Sequence, residues 1–318
     1  KCINSILNCD YKNLEIIVVD NDSQDGSVEA ISKMYPKVRQ VLNKSNSGYV
    51  GGNNAGIKQA LGKYLLILNN DTIVTPDFIE PLVIDLEKDT SLGIVQSKIF
   101  IMDNPKQLDN VVSYLTNIGF LFHIGYLDID KPEYKKFRET FAAKGACMMV
   151  RKSVFELGAF DEKYWCYFEE SDLCWRAWVM GYHVAFEPKS IIYHKMGATS
   201  TTMKSAFIHY HSFKNRIRTI IKNASIMTLF WMLPAHVIVC IALSAYFFLS
   251  GQTEGAVAIL KAIWWNLLNV NDTLERRSLI QKKRKLDDSE IFRLVLKNPS
   301  QSFYLHHLSL VRANLKKG

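Results

Sequence analysis

An α/β fold followed by a helical appendage is predicted for this 318-residue chain by three observations. Short β-branched runs alternate with helical stretches, as strands and crossover helices do in a sheet with parallel strands. Each run ends in polar turn residues, beyond the carboxyl end of a strand, where such sheets bind ligands. After Ser225 the pattern gives way to long apolar runs with basic flanks. The length exceeds one ordinary core, so a main domain of roughly 200 residues plus an appendage is expected.

The first run, "LEIIVVDNDSQDGS", reads as a buried strand entering a loop and then a helix, with Asp20, Asn21 and Asp22 at its end. "NKSNSGYVGGNNAGIKQAL" follows, placing Gly48, Gly51, Gly52 and Gly56 ahead of and within a helix starting near Asn54. These glycines, with Asn53 beside them, permit tight turns and close approach of backbone to a ligand. The spacing is neither that of a Walker loop nor that of the dinucleotide fingerprint. The second run, "KYLLILNNDTIVTPDF", ends in Asn69, Asn70 and Asp71, and Thr75 and Pro76 suit the start of a helix. Asp20 and Asp71 each pass singly for turn residues or caps. Together at strand ends they suit a divalent cation shared with substrate phosphates, and hence a nucleotide diphosphate ligand.

"YWCYFEESDLCWRAW" sets Glu169, Glu170 and Asp172 among aromatic residues. A helix start accounts for part of this: carboxylates favour the positive end of the helix dipole, and Asp172 pairs with Arg176 at i, i+4. The aromatic surround of Glu170 (Trp165, Tyr167, Phe168, Trp175) is better explained as a partly dry pocket. Burial and a neighbouring carboxylate raise a carboxyl pKa and make a better general base. His194 closes a further apolar run and is read evenly as a structural residue or as a metal or phosphate ligand. His183, His209 and His211 are read as structural, the last two in a segment with the look of an interfacial helix.

Six cysteines are scattered without paired CxxC spacing, which argues against a zinc ribbon or a disulfide framework and for a cytoplasmic compartment. No signal peptide opens the chain, and the lack of an initiator methionine suggests a fragment. The net charge is +8, and residues 271–318 carry eleven Lys and Arg against five Asp and Glu. Residues 226–249 contain no Asp, Glu, Lys or Arg over 24 positions, long enough to cross a bilayer. A shorter run, "GAVAILKAIWWNLLNV", follows, and basic residues flank the pair on both sides. Both flanks belong in the cytoplasm by the positive-inside rule, which favours a hairpin or an in-plane pair, with a buried soluble helix as the other reading. Nucleic acid is not expected as a partner, because the basic residues cluster beside apolar runs and form no recognisable binding motif.

The ordered motifs "EIIVVDNDSQDGS", "NSGYVGGNNAGI", "LNNDT", "GACMMVRKSVFELGAFDEKYWCYFEESDLCWRAWVMGY" and "YHKMGATS" resemble the family 2 glycosyltransferases, especially their rhamnosyltransferase-like branch. The resemblance covers roughly residues 2–222. It implies a glycosyltransferase A fold, a Rossmann-like mostly parallel sheet. It also implies inverting transfer from a nucleotide-diphosphate sugar with Mg²⁺ or Mn²⁺. By position it implies base recognition at Asp20, with Asn21, Asp22, Gly48, Gly52 and Asn53 lining the nucleotide pocket. Asn69 and Asp71 stand in the DxD motif, with Asn69 in place of its first acidic residue, and His194 completes the metal site. Glu170, or its neighbour Glu169, stands as catalytic base. Sugar and acceptor are expected against Lys144, Gly145, Trp165 and Asp172. The family's first strand precedes the helix with which this chain begins, so a central strand is expected to be missing from the sheet. Residues 1–205 are then the catalytic domain, 206–225 a basic linker helix, and 226–318 an apolar helical pair with a basic tail. That tail places the domain at the cytoplasmic face of the membrane, where a lipid-linked glycan is the expected acceptor.

Overall fold

A computed structural model describes residues 1–195 and 203–300; the second half of the "YHKMGATS" motif and the end of the basic tail lie outside the described residues. After the short helix α1 (Cys2–Leu7), the first β-branched run forms strand β1 (Ile17–Asp20). It crosses over through α2 (Ser27–Met34) to pair in parallel with β2 (Arg39–Leu42). The glycine-rich segment is not a loop but helix α3 (Gly48–Gln59), which packs on β1. The second run forms β3 (Tyr64–Leu68) and β4 (Thr72–Val74), followed by α4 (Ile79–Lys88) and the long β5 (Leu92–Ile101).

Next come β6 (Asn104–Asn110), the hairpin β7 (Val112–Leu115) and β8 (Leu121–Ile124), and the short β9 (Arg138–Glu139). Strand β10 (Cys147–Arg151), helix α5 (Glu169–Val179) and strand β11 (His183–His194) complete the sheet domain. The main sheet has seven strands in the order β3-β10-β5-β11-β4, with β6 on β5 and β9 on β11. It is mixed. β11 pairs in parallel with β5, and β10 enters antiparallel between β3 and β5. Hence β3, β5 and β11 point the same way, and their carboxyl ends share an edge with the start of β10. The β1–β2 pair forms its own two-stranded sheet.

Alternate residues of the central strands feed two cores, as the period of a strand buried on both faces requires. Met148, Val150 and Ile94 face one side, where α5 places Trp175 and Trp178. Cys147, Met149 and Val95 face the other, against Phe78, Leu82 and Leu86 near or on α4. All six cysteines are free.

Helix α6 (Ser205–Asn223) departs from the linker expected at 206–225. Its last three turns are buried, and its basic residues face protein. Arg218 Nε lies 2.8 Å from Asp161, and Arg218 Nη2 lies 2.6 Å from Asp272. Lys222 Nζ lies 2.6 Å from Asp161 and 2.9 Å from Asp172. These charges therefore do not flank a membrane segment in the way that composition alone led one to expect.

Then come α7 (Ile226–Leu249), α8 (Thr253–Leu268), α9 (Val270–Lys282) and α10 (Asp288–Val295). α7 is capped by Ser225, contains Pro234, and is the one helix among the described residues long and apolar enough to cross a membrane. α8 turns back along it, with Ser244 Oγ donating to the Ala256 carbonyl at 2.9 Å. α9 and α10 return to the sheet domain, where Ile280, Ile291 and Val295 join the core containing Trp175. The boundary expected at residue 226 thus runs through a shared core.

Candidate active site

Strand direction assembles the site. Asn69 and Asp71 follow β3, His194 ends β11, and Lys144 and Gly145 precede β10, so all five lie at one edge of the sheet. The backbone locks this edge: Asn69 N–H donates to the Ala146 carbonyl (3.1 Å), Lys195 N–H donates to the Asp71 carbonyl (2.9 Å), and His194 stands opposite Thr72. His194 Nε2 lies 3.3 Å from Asp71 Oδ1, and Nδ1 lies 2.8 Å from Asp109 Oδ2. The other oxygen of Asp109 accepts from Lys144 Nζ at 2.6 Å. Lys144 is braced again by its own N–H, which donates to Gln96 Oε1 at 2.7 Å. Burial works against the positive charge of His194, but the hydrogen bond to Asp109 and the neighbouring carboxylate of Asp71 raise its pKa to about 9. Burial likewise works against the charge of Asp109, yet His194 and Lys144 hold its carboxyl below the usual range.

Among the described residues no group of three or more His, Cys, Asp or Glu side chains is arranged to hold a metal by itself. The donor chemistry nevertheless fits a shared cation. Asp71 Oδ1 is buried without a hydrogen bond, since the contact with His194 is one of charge and not of hydrogen-bond geometry. A carboxylate and an imidazole 3.3 Å apart form a mixed oxygen and nitrogen pair acceptable to Mn²⁺, with the remaining positions left to phosphate oxygens and water.

The aromatic segment ahead of α5 is wound tightly. Trp165, Tyr167 and Phe168 all have φ between 66° and 70°, the left-handed region that side chains usually avoid. Phe168 is the N-cap, so the strained turn delivers Glu169 and Glu170 at the first turn of the helix. The glycine-rich helix supports it: Val50 N–H donates to the Trp165 carbonyl at 3.0 Å. Gly48, at φ +70°, has no room for a side chain, because a Cβ would sit 2.5 Å from the Trp165 ring.

Glu169 and Glu170 are withdrawn from water, and one oxygen of each is buried without a hydrogen bond. Burial, then the charge of Glu170, pushes Glu169 well above the carboxylate range. Burial also raises Glu170, while backbone N–H groups, Glu169 and Lys144 draw it part of the way back. Two such neighbours do not both ionise readily, so the pair tends to share one proton. Tyr49 closes the space between them and the sheet edge. Its hydroxyl donates to the Gly145 carbonyl at 3.0 Å, and it lies within reach of the charges of Glu169, Glu170 and Asp71.

Not every expected residue joins. Asp172 points away, fully buried against Arg176 (3.1 Å), Lys222 (2.9 Å) and Asn223 (2.9 Å). Its acceptor role is thereby corrected to a structural one, because no lone pair is left toward the site. The Asp172–Arg176 pair follows the helical spacing of the sequence. Trp165 packs edge-on to Phe207 of α6 at 5.3 Å between centroids.

On the nucleotide side, Asp20 Oδ2 accepts from Ser23 N–H at 2.9 Å, and Asp22 lies exposed in the same turn. The Asn21 carboxamide is engaged by Gly48 O, Asn43 and Ser47. A Cβ on Gly52 would meet Asn21 at 2.8 Å, so Gly48 and Gly52 admit protein groups, correcting the expectation that they bring backbone to the nucleotide. Asn53 donates to the Tyr49 carbonyl one turn back (2.9 Å). Sequence reading missed Tyr49 and Asp109. Tyr49 had a signal, an aromatic residue inside the glycine run. Asp109 had none, because it reaches the site only through the pairing of β6 with β5.

Known proteins match this chain in sequence and in fold. The Glycosyl transferase family 2 model matches residues 1–158. The low-salt glycan biosynthesis hexosyltransferase Agl10 of Haloferax volcanii is 28% identical over 221 residues, covering 65% of this chain and 70% of that protein. An uncharacterized glycosyltransferase of Haemophilus influenzae is 36% identical over 103 residues, 31% of this chain and 32% of that one. Among solved structures, TarS 1-349 of S. aureus in complex with UDP-GlcNAc superposes with a TM-score of 0.55 at 13% identity, covering 88% of this chain and 86% of that one. GalNAc-T7 with UDP, GalNAc and Mn²⁺ gives 0.55 at 17% identity, covering 70% and 44%. With its sheet edge, carboxyl pair and matched domain, the chain carries a glycosyl transferase family 2 domain over residues 1–158 and has the glycosyltransferase A fold.

Proposed function

We propose that the protein transfers a sugar, with inversion, from a nucleotide-diphosphate donor to a hydroxyl of a lipid-linked glycan at the cytoplasmic face of the cell membrane. The observation that carries this reading is the buried Glu169–Glu170 pair, linked through Tyr49 to the edge that holds Asp71 and His194. Glu170 takes the proton of the acceptor hydroxyl as its oxygen attacks the anomeric carbon. Attack opposite the departing diphosphate inverts the configuration. Lys144 and Gly145 wall the sugar, and Asp20 faces the base. A divalent cation held by Asp71, His194 and Asn69 would offset the charge growing on the nucleoside diphosphate. The apolar outer faces of α7 and α8 support membrane attachment, which brings a lipid-linked acceptor to the site.

The test is release of nucleoside diphosphate from a donor panel that includes dTDP-rhamnose, UDP and GDP sugars, with Mn²⁺ or Mg²⁺ and a membrane lipid extract. One donor turned over, with metal dependence and loss in Glu170→Gln, is the expected result. Binding without turnover would point instead to a nucleotide-binding membrane scaffold, a reading that the neutral Asn69 favours. Equal use of soluble and lipid-linked acceptors would sink the lipid-linked assignment.

A further inference from the structure

Asp109 lies outside every motif that points to the site, yet it touches both of the site's cationic side chains. Its carboxylate is fully buried, with one oxygen 2.8 Å from His194 Nδ1 and the other 2.6 Å from Lys144 Nζ. A carboxylate only accepts hydrogen bonds, so Nδ1 of His194 must carry the hydrogen. Once a cation displaces the other ring proton, the lone pair lies on Nε2, the nitrogen facing Asp71 at 3.3 Å. We propose that Asp109 is a positioning residue: it presents Nε2 of His194 to a cation shared with Asp71, and through Lys144 keeps the metal end and the sugar end of the site in one register. This rests on the reading that Asp71 and His194 hold a divalent cation.

Two features of the structure favour this role over that of a plain buried ion pair. Lys144 has a second brace in Gln96, so its main chain is held without Asp109. Among the described residues, Asp109 is the hydrogen-bond partner that orients the His194 ring on its inner side, and a carboxylate behind a ligating imidazole fixes tautomer and orientation.

Mn²⁺ binding to the full chain, with UDP present, is followed by the electron paramagnetic resonance signal of free Mn²⁺. Asp109→Ala is expected to weaken binding about 10–100-fold, the usual cost of removing such a partner. Asp109→Asn, whose amide oxygen still accepts from Nδ1–H, is expected to stay within a few-fold of wild type. Lys144→Met is expected to leave Mn²⁺ affinity in place while raising the donor KM. Unchanged affinity in a folded Asp109→Ala, or an equal loss in Asp109→Asn, overturns the proposal.

Should Asp109→Ala not fold, the ring ¹⁵N spectrum of the wild type with Mg²⁺ and UDP decides, His194 being assigned with His194→Gln. Hydrogen on Nδ1 and none on Nε2 supports the proposal; the reverse overturns it. Wild type that binds no Mn²⁺ removes the metal reading itself, an outcome distinct from failure of the variant alone.

Discussion

At the scale of single residues, the site works by placing carboxyl groups where water cannot reach them. Glu170→Gln is expected to lower turnover by roughly 10²–10⁴, the range for a general base, with nucleotide binding retained. Because burial holds the Glu170 carboxyl above its ordinary 4.5, the group accepts a proton from the substrate only once pH has risen past that value. The acid limb of kcat/KM should therefore lie above 4.5, and a limb at or below it counts against the assignment. Gly48 carries a different constraint. A methyl group at φ +70° would meet the Trp165 ring at 2.5 Å, so Gly48→Ala is expected to cost about 1–3 kcal/mol from backbone strain alone. Urea denaturation measures this, and a midpoint equal to wild type would show that the turn relaxes freely.

At the scale of elements, α6 is held by buried ion pairs as well as by its apolar side chains. Asp161 and Asp172 sit between Arg176, Arg218 and Lys222. Burial opposes the charge of each, and the neighbouring cations, Lys222 foremost, win and hold both carboxyls below 3.8. A depressed carboxyl contributes stability that is present above its unfolded pKa and is lost as pH falls below it. Loosening of α6 from α5 is thus expected below about pH 4, visible as a change in tryptophan fluorescence near Trp175 and Trp178. Asp172→Ala removes one partner from a buried set and takes from Arg176 the carboxylate it pairs with, which should cost about 3–5 kcal/mol. A loss under 1 kcal/mol, the value typical of exposed pairs, would show that water reaches this interface.

At the scale of the whole molecule, the helical appendage and the sheet domain are not separable. Removing residues 226–318 takes away Ile280, Ile291 and Val295, so that truncation is expected to yield an aggregating chain and not a soluble enzyme. Membrane attachment is better examined at the surface of α7, where Phe230, Ile238, Ile241 and Phe248 stand exposed. Paired substitution Ile238→Glu and Ile241→Glu is expected to reduce co-sedimentation with vesicles, at an unchanged melting temperature, because each charge would have to leave water at a lipid face. Unaltered co-sedimentation would remove α7 from the attachment surface.

Local patterns account for what was legible in the chain. Period-two apolar runs ending in Asp20 and Asp71, the helix start at Glu169 and the 24-residue run of α7 are short-range signals, and the sequence by itself determined the α/β class, the family resemblance and the strand ends that carry Asp20 and Asp71. What only the tertiary structure decided depends on contacts between distant segments. The basic residues of α6 read as a membrane flank until Asp161, Asp172 and Asp272 were brought beside them. The glycines of α3 read as a ligand loop until Asn21 and Trp165 filled the space. Asp109 carried no signal at all. A charge or a glycine advertises only that something must approach closely, and the identity of that neighbour is fixed by the fold, 85 residues away in the case of Asp109 and His194.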